Sequence, residues 1–325
     1  MAELTNVSIA TVSRVLNNVG GYSEETRKKV LAGAKSLGFR KNEMARSLVT
    51  RESNIIGVIM PNVASNFYGD IVSGIEDVSY ENGFSVIINH SGINRSRIYE
   101  SINMMAERRV DGLIIVSVEL RDREIDLLES LGIPYILLST ISERSEAPYI
   151  KVDDYAASYA AVNYLIKKGH RSIACIGGNP EDKVSGIPRI EGYKKALEES
   201  GIKIDPVKIQ YGDYSFDSGK DAMETLIKET KVTSVFCLSD DVALGGIYSA
   251  YANGLNVPDD LSIIGYDNSR ISYMSVPPLT TVSQPFYEMG KSGCESVIDA
   301  LRNKSKIKSK VIPFEIVERD SVKAR

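Results

Sequence analysis

Histidine is scarce in this chain of 325 residues, with His90 and His170 alone present. Catalysis built on imidazole proton transfer has little to work with, and His170, in Lys167-Lys-Gly-His-Arg-Ser-Ile173 between a helix and a strand, reads as a surface turn. Cysteine is almost as rare. Cys175, Cys237 and Cys294 lie far apart, an odd number without metal-ligand spacing, and read as reduced packing residues rather than a redox or zinc site. No apolar run approaches the roughly 18–20 residues of a membrane span. The N-terminus lacks the charged start, long apolar core and small-residue cleavage site of a secretion signal, so the reading places the chain in the cytoplasm. Adjacent acids occur at Asp153-Asp154 and Asp240-Asp241. Sequence neighbours generally point apart, however, and neither a Ser-His or Cys-His partnership nor a phosphate loop accompanies them, so no enzyme, cofactor or metal is expected.

What is present is an ordinary globular balance, 43% apolar and 25% charged residues, over a length that favours two or three domains. The net charge of −4 conceals an asymmetry. Residues 1–51 hold nine basic and four acidic side chains, a net +5, which leaves −9 for the other 274. A basic head on an acidic body suggests a polyanion partner.

Within the head, Ala2–Val7 reads as the end of one helix and Ser8–Asn17 as a second, capped by the Ser8 hydroxyl. Val12, Val15 and Leu16 share an inward face, whereas Ile9, Ala10, Ser13 and Arg14 lie toward the other side. A short helix after a tight turn, with small and basic residues near its start, fits the recognition helix of a helix-turn-helix. A third helix starts at Ser23-Glu-Glu-Thr26, with Val30, Leu31, Ala34 and Leu37 at helical spacing until Gly38. Asn42–Leu48 has helix propensity but spans barely two turns, so it needs a packing partner to form.

The segments VSIATVSRVLNN, YSEETRKKVLAGAKSLGF and NEMARSL resemble the headpiece and hinge of the lac repressor/galactose repressor (LacI/GalR) family of transcription regulators. That resemblance implies that Ile9 and Ala10 face base edges, that Arg14 reads a base, and that Thr11, Ser13 and Asn17 mainly touch phosphates, with Ser8 at the start of the helix also among the DNA-binding residues. An arginine fork can match the O6/N7 edge of guanine. It further implies that two hinge helices pair in the minor groove, with Ala45 and Arg46 at the DNA and Leu48 wedged between central base pairs. The chain departs from the family pattern in two places. Its first helix starts part-way, which predicts weak operator binding, and Lys41 stands where proline is common.

From Asn54 the pattern changes to alternating apolar runs and amphipathic helices. IIGVIM (55–60), FSVIINH (84–90), GLIIVS (112–117) and YILLS (135–139) form one series of buried parallel strands, and SIACIGG (172–178), KIQYG (208–212), SVFCLS (234–239) and LSIIGYD (261–267) a second. The expected fold class is therefore α/β: a helix-turn-helix headpiece at 1–40, a hinge and linker at 41–53, and two doubly wound parallel-sheet lobes at 54–325. The body resembles the periplasmic-binding-protein-like sensor of the same family, especially its purine repressor branch. It does so through Arg189-Ile-Glu-Gly-Tyr193, Ser239-Asp-Asp-Val-Ala-Leu-Gly245, Val257-Pro-Asp-Asp260, Ile264-Gly-Tyr-Asp267 and Pro278-Leu-Thr-Thr-Val-Ser-Gln-Pro285.

The resemblance implies three chain crossings between lobes, near 153, 283 and 311, with an N-lobe of 54–153 and 284–311 and a C-lobe of 154–283 and 312–325. Carried over by position, Phe67, Tyr68, Lys183, Ser185, Arg189, Tyr214, Asp240 and Asp267 should line an effector cleft. Carboxylates can accept from vicinal hydroxyls, and aromatic faces can pack on a sugar or heterocycle. The implied partners are double-stranded operator DNA, a second copy of the chain, and a sugar, sugar phosphate or purine-like effector. A phosphoprotein-controlled regulator and a free small-molecule binding protein are the alternatives.

Overall fold

The computed structural model describes residues 1–39, 53–61, 66–92, 95–142, 144 and 146–325. It divides into two compact units, Met1–Ser53 and Asn54–Arg325. The hinge candidates Ala45, Arg46 and Leu48 lie outside the described residues.

The first unit holds α1 (Ala2–Thr5), α2 (Ile9–Asn17) and α3 (Glu24–Ser36). Their ends have local causes. Asn6 takes a left-handed φ of 51° and lets the Val7 amide turn back to the Ala2 carbonyl, and Asn18 closes α2 at φ 55°. Ser8 Oγ accepts the Thr11 amide at 3.1 Å and Ser23 Oγ that of Thr26 at 3.2 Å. Val12, Val15 and Val30 form the core, with Leu16 and Tyr22 against it. The stripe expected on α3 is corrected in part: Val30 and Ala34 are buried, but Leu31 and Leu37 are 44% and 55% exposed. The inward face is Val30-Gly33-Ala34. Gly33 lies against α1, where a Cβ would come within 2.7 Å of the Thr5 methyl, and this rotates Leu31 and Leu37 outward.

In the second unit β1 (Ile55–Met60), β2 (Ser85–His90), β3 (Gly112–Val116), β4 (Tyr135–Leu138), β5 (Tyr149–Lys151) and β11 (Lys310–Val311) form one sheet, ordered β11-β5-β4-β3-β1-β2. All its pairings are parallel. The second sheet holds β6 (Ile173–Gly178), β7 (Ile209–Tyr211), β8 (Ser234–Cys237), β9 (Ser262–Asp267), β10 (Thr280–Ser283) and β12 (Glu315–Val317). Its order is β12-β10-β9-β8-β6-β7, and only β12 runs antiparallel. Central strands are buried along nearly their whole length because helices cover both faces.

On the first sheet, α4 (Tyr68–Asn82) and α12 (Phe286–Asn303) cover one face, and α5 (Ile98–Glu107) and α6 (Asp122–Leu131) the other. On the second, α7 (Asp154–Lys167) and α8 (Gly186–Glu199) lie opposite α9 (Phe216–Glu229) and α10 (Asp240–Ala252), with the short α11 (Arg270–Met274) after β9. The chain passes between lobes after β5, between β10 and α12, and between β11 and β12. Close helix contact sets the geometry near the cleft: a Cβ on Gly245 of α10 would sit 2.0 Å from the Phe216 carbonyl of α9.

His170 is not the surface turn expected. It is 1% exposed, with Nδ1 2.9 Å from Thr233 Oγ1 and Nε2 3.1 Å from the Lys323 carbonyl. The C-terminal segment covers it as the Arg325 amide bonds the Lys168 carbonyl, and burial pushes its pKa down. All three cysteines are free and buried. Among the described residues no helix is long and apolar enough to cross a membrane.

Candidate functional site: an exposed helix face and an interlobe cleft

On α2, burial of Val12 and Val15 turns the opposite side outward, and Ser8, Ile9, Ala10, Ser13, Arg14 and Asn17 are all exposed, Ile9 by 80%. Thr11 is half-buried, its hydroxyl 2.9 Å from Ser8 Oγ at the cap. An apolar tip at 80% exposure costs solvation unless something covers it. One basic fork and a row of hydroxyl and amide groups beside it make a surface suited to base edges and phosphates.

Between the lobes lies a cleft of about 880 Å³, bounded by the C-terminal ends of the strands of both sheets. Of the eight residues expected there, Phe67, Tyr68, Ser185, Arg189, Tyr214 and Asp267 line it. Phe67 stacks on Phe286 with centroids 4.6 Å apart, and Tyr68, its hydroxyl pushed to a pKa of about 12 chiefly by burial, stands beside it.

Arg189 is 6% exposed and held from behind. Its Nε donates to Asp154 Oδ1 at 2.7 Å and an Nη to the Leu238 carbonyl at 2.6 Å, while the guanidinium lies 3.8 Å from the centroid of the Tyr266 ring. Asp154 also accepts from the Tyr266 hydroxyl at 2.9 Å and from Lys151 at 2.8 Å. Burial alone would raise its carboxyl, but Arg189 and Lys151 outweigh this and hold it below the ordinary carboxylate range. Asp267 ends β9 at φ 119° and accepts from Gln284 Nε2 at 2.8 Å. Burial raises its pKa well above the usual value, opposed by Arg189 and reinforced by Asp240.

Asp240 and Lys183 are corrections. Asp240 is 1% exposed and faces away from the cleft, accepting from the Ser269 amide (2.7 Å) and hydroxyl (2.9 Å) and from Thr281 (2.6 Å). Burial pushes its pKa up to about 7 despite those donors. Because Ser239 caps α10 through the Val242 amide, the helical register sends Asp240 into the core and its neighbour Asp241 to the cleft. Lys183 is exposed and not among the lining residues, whereas Asp182 and Val184 on either side of it are.

Sequence reasoning missed Ser91, Ser117 and Ser139, which follow β2, β3 and β4, and Arg95. The rule that ligands sit past strand ends, applied to every strand alike, selects those serines. Arg95 donates to Glu124 at 3.0 Å, a carboxylate whose side chain is fully buried. Arg95, Ser117, Ser139, Tyr214 and Asp267 all take positive φ without being glycine. Strain of this kind, concentrated on one cavity, is a mark of a functional site.

The sequence pattern of bacterial regulatory proteins of the lacI family matches residues 1–42, and that of the periplasmic binding protein-like domain matches 162–322. The transcriptional regulator RegA of Clostridium acetobutylicum is 40% identical over 99% of this chain and 98% of its own length. The chain belongs to the lacI family. As a lacI-family protein it is a DNA-binding transcriptional regulator and not an enzyme. Among solved structures, the lac repressor dimer bound to operator and the anti-inducer ONPF superposes with a TM-score of 0.90 at 28% identity, covering 99% of this chain and 98% of that one. The transcriptional regulator CelR in complex with cellobiose gives 0.76 at 29% identity, with 98% of each chain covered. These likenesses reach the family and its regulators without singling out the purine repressor.

Proposed function

We propose that this lacI-family regulator is a cytoplasmic homodimeric repressor of a carbohydrate or small-metabolite operon. In this reading two headpieces read a palindromic operator through Ile9, Ala10 and Arg14, with phosphate contacts from Ser8, Thr11, Ser13 and Asn17, and the hinge adds Ala45, Arg46 and Leu48. A small molecule binds between the lobes against Phe67, Tyr68, Ser185, Arg189, Tyr214 and Asp267. The observation that carries the reading is the exposed face of α2, where Ile9 and Arg14 stand clear of a core formed by Val12 and Val15. The domain limits of 1–40, 41–53 and 54–325 belong to the same proposal.

Covalent continuity suggests how the functions couple. β1 begins at Ile55, directly after the hinge segment, and Phe67 and Tyr68 follow its other end and line the cleft. A ligand that draws the lobes together moves β1 with its lobe, which alters the separation of the two hinge segments in a dimer. Arg14→Ala tests the DNA face. Against a duplex selected by the protein itself from a random library, the variant should lose about 1–3 kcal/mol of discrimination over random duplex. An equal loss on both duplexes would make Arg14 a phosphate contact.

A further inference from the structure

Resting on that reading of the cleft, we infer that the effector is an uncharged hydroxyl-rich ring and that the site is built to reject its phosphate ester. Among the described lining residues seven are carboxylates and three are arginines. Two of the arginines already have carboxylate partners, although Nε of Arg95 is left without one. Arg189 is held by Asp154, and Arg95 lies against Glu124 at 3.0 Å and Glu119 at 3.8 Å. The third, Arg121, stands exposed at the rim, where water screens its charge.

The usual alternative home for a phosphate is the amide cluster at a helix N-terminus. In the C-lobe wall those amides are filled by the chain's own groups. At the start of α8, Asp182 Oδ1 accepts the amides of Val184 (2.9 Å) and Ser185 (3.1 Å), and Oδ2 that of Gly186 (3.1 Å) together with the Tyr214 hydroxyl. Ahead of α9, Asp213 Oδ1 accepts the Ser215 amide at 3.1 Å. At α10, Ser239 caps and Asp240 and Asp241 occupy the first turn. A phosphate on the C-lobe wall meets carboxylates at each of these three helix starts. The same carboxylates accept from sugar hydroxyls, while Phe67 and Phe216 offer apolar ring faces.

The test uses the full-length chain and paired probes, ribose with ribose 5-phosphate, glucose with glucose 6-phosphate and adenosine with its 5′-monophosphate, each by thermal shift and calorimetry. At least one free member should bind, and its ester should bind at least about 100-fold more weakly, the penalty of placing like charges together. An ester that binds as tightly as its free partner overturns the inference and leaves the effector cleft standing. No binding by any of these probes overturns the effector reading beneath it. Asp182→Ala frees three amides and should shrink the ester's handicap at least about tenfold. Asp241→Asn, on a different segment and with its size preserved, should shrink it severalfold; an unchanged handicap in both folded variants also overturns the inference.

Discussion

The two lobes share a six-stranded doubly wound plan, yet they furnish the cleft differently. The N-lobe wall offers serine hydroxyls after β2, β3 and β4 and one arginine backed by a buried acid, Arg95 with Glu124. The C-lobe wall repeats the arginine–acid device as Arg189 with Asp154, buries it further, and adds Asp182, Asp213, Asp241 and Asp267. Equal topology therefore does not distribute chemistry equally. The C-lobe wall is the richer in fixed charge, and the N-lobe wall sets hydroxyls at the ends of three successive strands, where they can follow a ligand as the lobes approach.

Removing the backing acid should separate the walls most. Asp154→Ala leaves Arg189 buried and unpaired and should cost about 3–5 kcal/mol in urea unfolding. Glu124→Ala should cost about 1–3 kcal/mol, because Arg95 retains Glu119 and touches the rim. Equal costs would erase the contrast.

A smaller contrast is expected in ligand affinity. For whichever free sugar or nucleoside binds, Asp267→Ala should weaken calorimetric affinity about 100-fold and Ser117→Ala about tenfold or less, because Asp267 is a buried carboxyl fixed by Gln284 with two oxygens to offer and Ser117 a single hydroxyl. A larger loss at Ser117 would move the specificity to the N-lobe.

The remaining contrast is the pH response. Burial raises Asp240 to about 7 in the folded chain against an ordinary 3.8, so its contribution to stability is complete below pH 4 and declines as pH rises toward 7. Glu124 is lowered in the fold: burial opposes this, but Arg123, the Arg121 amide and Arg95 prevail. Its contribution is therefore present above pH 4.5 and lost in stronger acid. Asp240→Asn should match the native chain near pH 4 and exceed it at pH 8 in thermal melts. A variant less stable at pH 8 would mean that Ser269 and Thr281 hold Asp240 ionised.

Much of this was legible in residue order. Long strands such as β1 and β6 are continuous apolar runs, and the caps Ser8 and Ser23 announce α2 and α3. The strands β5, β11 and β12 have two or three residues each, too few to carry a period. α12 does carry one, at Phe286, Met289, Cys294, Val297 and Ile298, but Gly290 and Gly293 interrupt it and lower its propensity. Which of Asp240 and Asp241 meets a ligand depends on helical register after the Ser239 cap, a difference of about 100° per residue that adjacent identical letters do not reveal. The burial of His170 is not legible locally, because its partners Thr233 and Lys323, in a loop and in the C-terminal segment, lie more than 60 positions away.

The threefold passage between lobes also has a consequence for synthesis on the ribosome. The N-lobe core needs Phe286, Met289, Cys294, Val297 and Ile298, so the face of its sheet beneath α12 stays bare until nearly the whole chain has emerged. The C-lobe strands β6 to β10 are complete by Ser283 and lack only β12. The lobe that begins first in the gene is therefore still open when most of the second lobe's sheet has been made. A nascent chain halted at residue 285 would carry an uncovered apolar sheet, an open invitation to chaperones or to another stalled copy.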